Sequence, residues 1–257
     1  MFKAVLKTQY KRYAMYRIYF LSDLAGGVVL PVLINILFWY GITETNVIAY
    51  DFSNLIQYII MANLILSLTT VNVEGKLTAH IRSYKLAQQL LLPVVYHRKL
   101  LMETVSEKLI RFVFIYLPLV LVLLFVSSRI NVFFFILTLP SIFFSFMLNL
   151  LFSEIIGELS FWLTETWGIS AIKNLVFSVF AGALFPLDLL PADILNVFRC
   201  LPFQYMSFVP AKIVFAEVSI PFIFESYFIS AVWCLLLFGI ERVIWFAGLK
   251  KYESCGA

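Results

Sequence analysis

Uncharged apolar runs dominate the chain, and polar positions gather in a few short segments between them. A helix needs about 20 apolar residues to cross the hydrocarbon core of a bilayer. Six runs approach that length: residues 24–43, 52–73, 112–128, 130–153, 168–187 and 226–240. The first can begin near Tyr19 if Asp23 sits at the interface. The fifth is interrupted near its start by Lys173, and the sixth resumes over 243–249 beyond the adjacent pair Glu241 and Arg242. This pattern predicts an all-α polytopic membrane protein of six transmembrane helices. Residues 1–257 read as one membrane domain, with no internal repeat and no separate soluble unit.

Composition agrees with the pattern. Hydrophobic residues make up 62% of the chain and charged residues 13%, with a mean hydropathy of +0.95. A soluble domain carries about 25% charged and about 45–50% apolar residues. A soluble enzyme, a nucleic-acid-binding domain and a disordered chain are therefore excluded. Six spans put both termini on one side. With the N-terminus in the cytoplasm, 16 of the 19 Lys and Arg residues fall inside, and Arg129, Arg199 and Lys212 fall outside. The positive-inside rule thus predicts that both termini are cytoplasmic. The first sixteen residues carry Lys3, Lys7, Lys11 and Arg12 without a small-residue cleavage site, so no cleaved leader is expected. The three cysteines, Cys200, Cys234 and Cys255, are far apart and read as free thiols.

Three segments outside the runs are informative. In residues 1–17, Phe2, Val5, Leu6, Tyr10, Tyr13 and Ala14 share one helical face, while Lys3, Lys7 and Lys11 recur every four residues on another. That is an amphipathic interfacial helix with its cations toward lipid phosphate. It reads as a topology anchor or as a docking element for a partner. In residues 74–111, Pro93 divides two helices. Upstream, Leu77, Ile81, Tyr84 and Leu91 follow helical spacing, with Lys76, His80, Arg82 and Lys85 around the other side. Downstream, Glu107 can pair with Arg111 at i,i+4. This charged hairpin is either a solvated loop or a surface by which a soluble partner moves the membrane domain. Residues 186–220 are too apolar for a solvated loop and contain Pro186, Pro191, Pro202 and Pro210. Short helices broken by proline fit a re-entrant element, tolerated where protein buries its broken backbone. Such an element hides Phe185, Leu189, Phe203 and Tyr205 against the helices and makes an outer gate of them. A compact interfacial cap is the alternative.

Several chemistries are missing from the sequence. There is no G-x-x-x-x-G-K-[ST] to cradle nucleotide phosphates and no H-E-x-x-H. Gly168, Ile169 and Ser170 lack the closing glycine of a nucleophile elbow. No catalytic residue and no metal or cofactor ligand set is assigned. Ionisable residues in spans are functional candidates by default. Asp23 lies near the inner end of the first run, with Arg17 a possible partner. Glu154, Glu158 and Glu165 are spaced by four and seven and share a helix face, either lining an ion path or answering the basic hairpin. Glu241 and Arg242 point in different directions and are expected to snorkel or pair across helices near the inner face.

The run Ala181, Gly182, Ala183, Leu184, Phe185, Pro186, Leu187, followed by Leu190 and Pro191, Leu201-Pro202-Phe203 and Pro210-Ala211, resembles ABC exporter permeases of the type-2 class. The stretches from Ser83 to Lys85 and Leu91 to Pro93, and the ending Gly248-Leu249-Lys250-Lys251-Tyr252-Glu253-Ser254, look like the branch of six-span half-transporters with a separate ATPase. The resemblance covers nearly the whole chain. It implies an amphipathic N-terminal helix, a coupling helix between spans two and three, and re-entrant helices between spans five and six. It also implies a plasma-membrane location and a conduit made with a second permease copy or a related permease. ABC ATPase subunits would dock below, with ATP and Mg on those partners and no cofactor in this chain. On this reading Lys76, His80, Arg82, Tyr84 and Lys85 form the ATPase-coupling surface. No nucleic acid is involved, and membrane lipids are the remaining partner. The rival reading is a self-contained secondary transporter or channel that uses Asp23, Glu154 and Glu158.

Overall fold

The computed structural model describes residues 2–15, 22, 24–43, 51–126 and 130–252. Asp23, Arg17 and Cys255 lie outside them. The described residues are helical, with no strand among them. In chain order the helices are α1 (Phe2–Met15), α2 (Leu30–Thr43), α3 (Phe52–Thr69), α4 (Glu74–Arg82), α5 (Lys85–Leu90), α6 (Tyr96–Arg111), α7 (Leu117–Val126), α8 (Val132–Glu158), α9 (Trp167–Phe180), α10 (Ala192–Cys200), α11 (Phe208–Val214) and α12 (Ile220–Lys251). Short π-helical turns at Ala25–Val29 and Phe112–Tyr116 lead into α2 and α7.

Among the described residues, four stretches are long and apolar enough to cross a membrane: Ala25–Ile42, Phe52–Arg82, Val132–Phe161 and Ile220–Lys251. The other two expected spans are shorter in the described residues. The third continues α6 without a break through Phe112–Tyr116 into α7, and the fifth is the 14-residue α9. Solvent alone cannot account for the surface of these helices. Leu33, Ile34, Leu37 and Phe38 on α2 are exposed, as are Phe224, Phe228, Leu235 and Val243 on α12. Continuous apolar faces of this kind need lipid or protein against them.

The bundle is organised around α8, which packs against α3, α4, α11 and α12. Asn131 caps its start by accepting a hydrogen bond from the Phe133 N–H at 2.9 Å. Near its far end Gly157 allows α4 to approach closely. A Cβ there would lie 2.9 Å from the Glu74 Cα and 2.9 Å from the Leu77 side chain.

Three helix boundaries differ from the expected ones, and each has a visible cause. The second run extends to residue 73, but α3 ends at Thr69. The chain is irregular over 70–73 because Ser153 takes its backbone polarity. The Ser153 Oγ accepts from the Val73 N–H at 3.0 Å and lies 3.1 Å from the Val71 carbonyl. The hairpin breaks not only at Pro93 but also at Tyr84, a left-handed residue with φ of 59°. The fifth run extends to residue 187, but α9 stops at Phe180. Beyond it Gly182 turns the chain with φ of +78°, a conformation that suits a residue without a Cβ.

The freed carbonyls after α9 are each met by a side chain from a neighbouring helix. Tyr58 donates its hydroxyl to the Gly182 oxygen at 2.6 Å, Asn63 donates to Ala183 at 2.9 Å, and Trp39 donates to Leu184 at 2.9 Å. Irregular backbone inside an apolar bundle is stable only when satisfied in this way. The following segment is held likewise. Ser145 donates to the Met206 carbonyl at 2.6 Å and Ser207 to the Ala62 carbonyl at 2.6 Å. All seven residues of α11 are buried. Its Lys212 lies 2.6 Å from both Asp188 and Glu217, so the cation enters the protein with two counter-ions.

Candidate functional site

The hairpin of α4, α5 and α6 sits against the last turns of α8 and α12, and this junction is the candidate site. An apolar cluster joins the five elements: Leu77 and Ile81 of α4, Leu86 of α5, Tyr96 and Leu100 of α6, Phe161 beyond α8, and Trp245 of α12. Gly248 faces the Phe161 ring so closely that a Cβ would collide with it. The Tyr96 ring stacks on Trp245 at 5.7 Å with the planes 4° apart. Packing of this density transmits a displacement instead of absorbing it.

Two buried polar clusters reinforce the junction. In the first, Lys173 in the middle of α9 donates to Glu74 Oε1 at 2.7 Å and to the Val71 carbonyl at 3.2 Å. The Ser153 hydroxyl meets the second carboxylate oxygen of Glu74. The side chains of Lys173 and Glu74 are only 3% and 5% exposed, so neither charge is shared with solvent. The entry to the hairpin is thereby fixed to α8 and α9 together.

The second cluster lies deeper under α6. His97 Nε2 is 3.1 Å from Glu158 Oε1 and 2.9 Å from Glu241 Oε1, with all three side chains buried. The ring also meets Trp245 edge to face at 4.3 Å. Burial opposes a charge on His97, but the closeness of the Glu158 and Glu241 carboxylates outweighs it and raises its pKa to about 9. Glu154, one turn earlier on α8, is also buried.

The residues singled out from sequence fall in three places. Lys76 faces α6, 3.7 Å from Glu107 and 4.0 Å from Glu103. His80 Nδ1 is 2.8 Å from the Tyr96 hydroxyl, and Arg82 pairs with Glu165. Tyr84 and Lys85 are exposed at the turn between α4 and α5. The expected face of Glu154, Glu158 and Glu165 does not persist. The helix ends at Glu158, a 3-10 turn follows at Leu159–Phe161, and Glu165 lies in the exposed loop beyond it. Beside this loop a cleft of about 550 Å³ is lined by Gly75, Thr78, Arg82, Glu165, Trp167 and Asn174, among others.

Phe185, Leu189, Phe203 and Tyr205 all pack into the main core on the other side of the bundle. Phe203 stacks on Phe152 of α8 at 5.9 Å and meets Phe177 and Phe180 of α9 at 5.9 and 6.0 Å. Tyr205 donates its hydroxyl to the Arg199 carbonyl at 2.7 Å. The sequence reading did not anticipate Glu74, Lys173 and His97 as contact-making groups. The signal for the first two was their position, each a lone charge at the border of an apolar run.

The described helix α1 lies along α6 and the start of the third span. A groove of about 400 Å³ between them is lined by Lys3, Leu6, Lys7, Tyr10, Leu109 and Phe114 together with Ile110 and Val113.

An apolar helical bundle thus carries a charged helical hairpin fixed to its helix ends. Residues 29–256 match the family described as ABC-2 family transporter protein, and the chain belongs to that family of membrane permeases. No curated protein and no solved structure matches the chain.

Proposed function

We propose that the chain is the permease subunit of an ATP-driven exporter, forming the substrate conduit as a dimer and moved by a separate ATPase. Both termini and the hairpin lie in the cytoplasm, and the membrane is the plasma membrane. The 16-to-3 division of basic residues supports this orientation, following the positive-inside rule. The observation that carries the proposal is the build of the hairpin. Its tip exposes the Tyr84 ring and the charges of Arg82 and Lys85, while its base is held by the buried Glu74–Lys173 pair and the Trp245 cluster. A partner pressing on the tip would move α8, α9 and α12 together. Residues 186–220 form the outer closure of the conduit, with Phe185, Leu189, Phe203 and Tyr205 as its apolar seal.

The tip is tested by charge reversal. Lys85→Glu, alone and with Arg82→Glu, should leave membrane insertion intact and detach the ATPase or abolish its stimulation. The single variant matters because Arg82 also holds Glu165, a pair exposed enough to contribute little to stability. Unchanged recovery of the ATPase with both variants, together with unchanged transport, would remove the α4–α5 turn from the interface.

A further inference from the structure

The His97 cluster has an electrostatic deficit that its protein partners do not meet. Two carboxylates, Glu158 and Glu241, are buried against one imidazole and one guanidinium, and a third, Glu154, is buried one turn earlier on α8. The single hydrogen on His97 Nε2 cannot serve Glu158 and Glu241 at once. Accordingly Glu158 Oε2 and both oxygens of Glu241 are buried without an aligned hydrogen-bond donor, although Arg242 Nε stands 3.3 Å from Glu241 Oε2. The Glu158 and Glu241 side chains are 0% and 1% exposed. Buried charges in native proteins are paired or bind metal.

We propose that His97, Glu158 and Glu241 form a site for one divalent transition-metal ion of the zinc, manganese or ferrous class, which fastens the hairpin to α8 and α12. One ligand atom from each residue lies within 4.8 Å of the others. The imidazole nitrogen is 3.1 and 2.9 Å from the two nearest carboxylate oxygens. Ligand bonds of about 2.0–2.2 Å place neighbouring donors about 3.0–3.6 Å apart, depending on whether the geometry is octahedral or tetrahedral, so the groups are already near coordinating separation. A mixed set of one nitrogen and carboxylate oxygens suits these metals better than a thiolate-seeking or purely oxygen-seeking ion. Three protein ligands leave a further position for water or a fourth group. The ligands come from α6, α8 and α12, so binding would join three elements that the chain keeps far apart. The inference stands on these groups alone and does not depend on the ATP-driven reading.

The test uses the full-length protein in detergent, stripped with EDTA and then titrated with ZnCl₂ or MnCl₂. Metal content after desalting and the apparent Tm are both read. The wild type should retain about one ion per chain and melt higher with the ion than without it. Glu158→Gln and Glu241→Gln, which preserve side-chain shape, should each weaken binding by at least about tenfold while remaining folded without metal. His80→Gln should bind as the wild type does. If the folded wild type retains neither ion, the carboxylates are held by protons and the metal site is wrong. Binding by both Gln variants as tight as wild type, or its loss in His80→Gln, would place the ion elsewhere and equally overturn the proposal. A Gln variant that fails to fold is replaced by its Asp counterpart, whose shorter reach should also weaken binding.

Discussion

Lys173→Met lowers the apparent Tm of the detergent-solubilised protein by about 6–20 °C. Removing one member of a buried ion pair costs ~3–5 kcal/mol, because the survivor is left charged in a low-dielectric site. For a chain of this size each kcal/mol corresponds to about 2–4 °C. Here the survivor is Glu74, whose carboxylate keeps only the Ser153 hydroxyl after the change. Adding Glu74→Gln should recover most of the loss, since the orphaned charge is then gone. The order of the three proteins in a melting experiment decides the matter. A Lys173→Met protein as stable as the wild type would mean that Glu74 reaches solvent, and the junction would not be rigid. A double variant as unstable as the single would assign the loss to packing instead of charge.

Phe203→Ala should open the outer closure. The side chain fills a space between Phe152, Phe177 and Phe180, with ring centroids 5.9–6.0 Å away. Truncating a packed Phe costs ~3–5 kcal/mol, and less where the site is partly exposed. The residue is half-buried, so the protein should insert and express near normal levels. The loss should fall on how the segment after Pro202 packs against α8 and α9. Proteoliposomes carrying the variant should leak a small apolar dye faster than those with wild type, and Phe203→Leu should restore most of the seal. Cysteines placed from 186 to 210 should label poorly from water where the side chains are buried. Uniform fast labelling across that stretch would make it a solvated loop, and the closure would have to lie elsewhere.

What the chain discloses by itself depends on how far apart its interacting groups lie. The long runs were readable because a membrane helix is defined by its own length and apolarity, as with α8 and α12. The hairpin was readable because Lys76, Arg82 and Lys85 interrupt those runs as a cluster. The end of α9 was not readable. It depends on Tyr58, Asn63 and Trp39 supplying donors to three successive carbonyls from two other helices. The end of α3 at Thr69 likewise rests on Ser153, some 80 residues away in sequence. Glu74 and Lys173 stand 99 residues apart, and no periodicity links them. His97 lies in the most polar stretch of the sequence. Its burial follows only from the way α6 lies beneath Trp245 and Glu158. Glu165 continued a helical spacing on paper, but the turn at Leu159–Phe161 ends the helix before reaching it.

We propose that a separate ATPase drives this permease through the hairpin. Purifying the full chain from its native membranes under mild detergent tests it most directly, with mass spectrometry of the co-purifying proteins and an ATP hydrolysis assay on the same sample. A P-loop ATPase should be recovered in near-equal amount, with hydrolysis that falls when the chain carries Lys85→Glu. Recovery of the chain with no ATPase, together with movement of a solute by the lone chain in vesicles under a proton or sodium gradient, would contradict it.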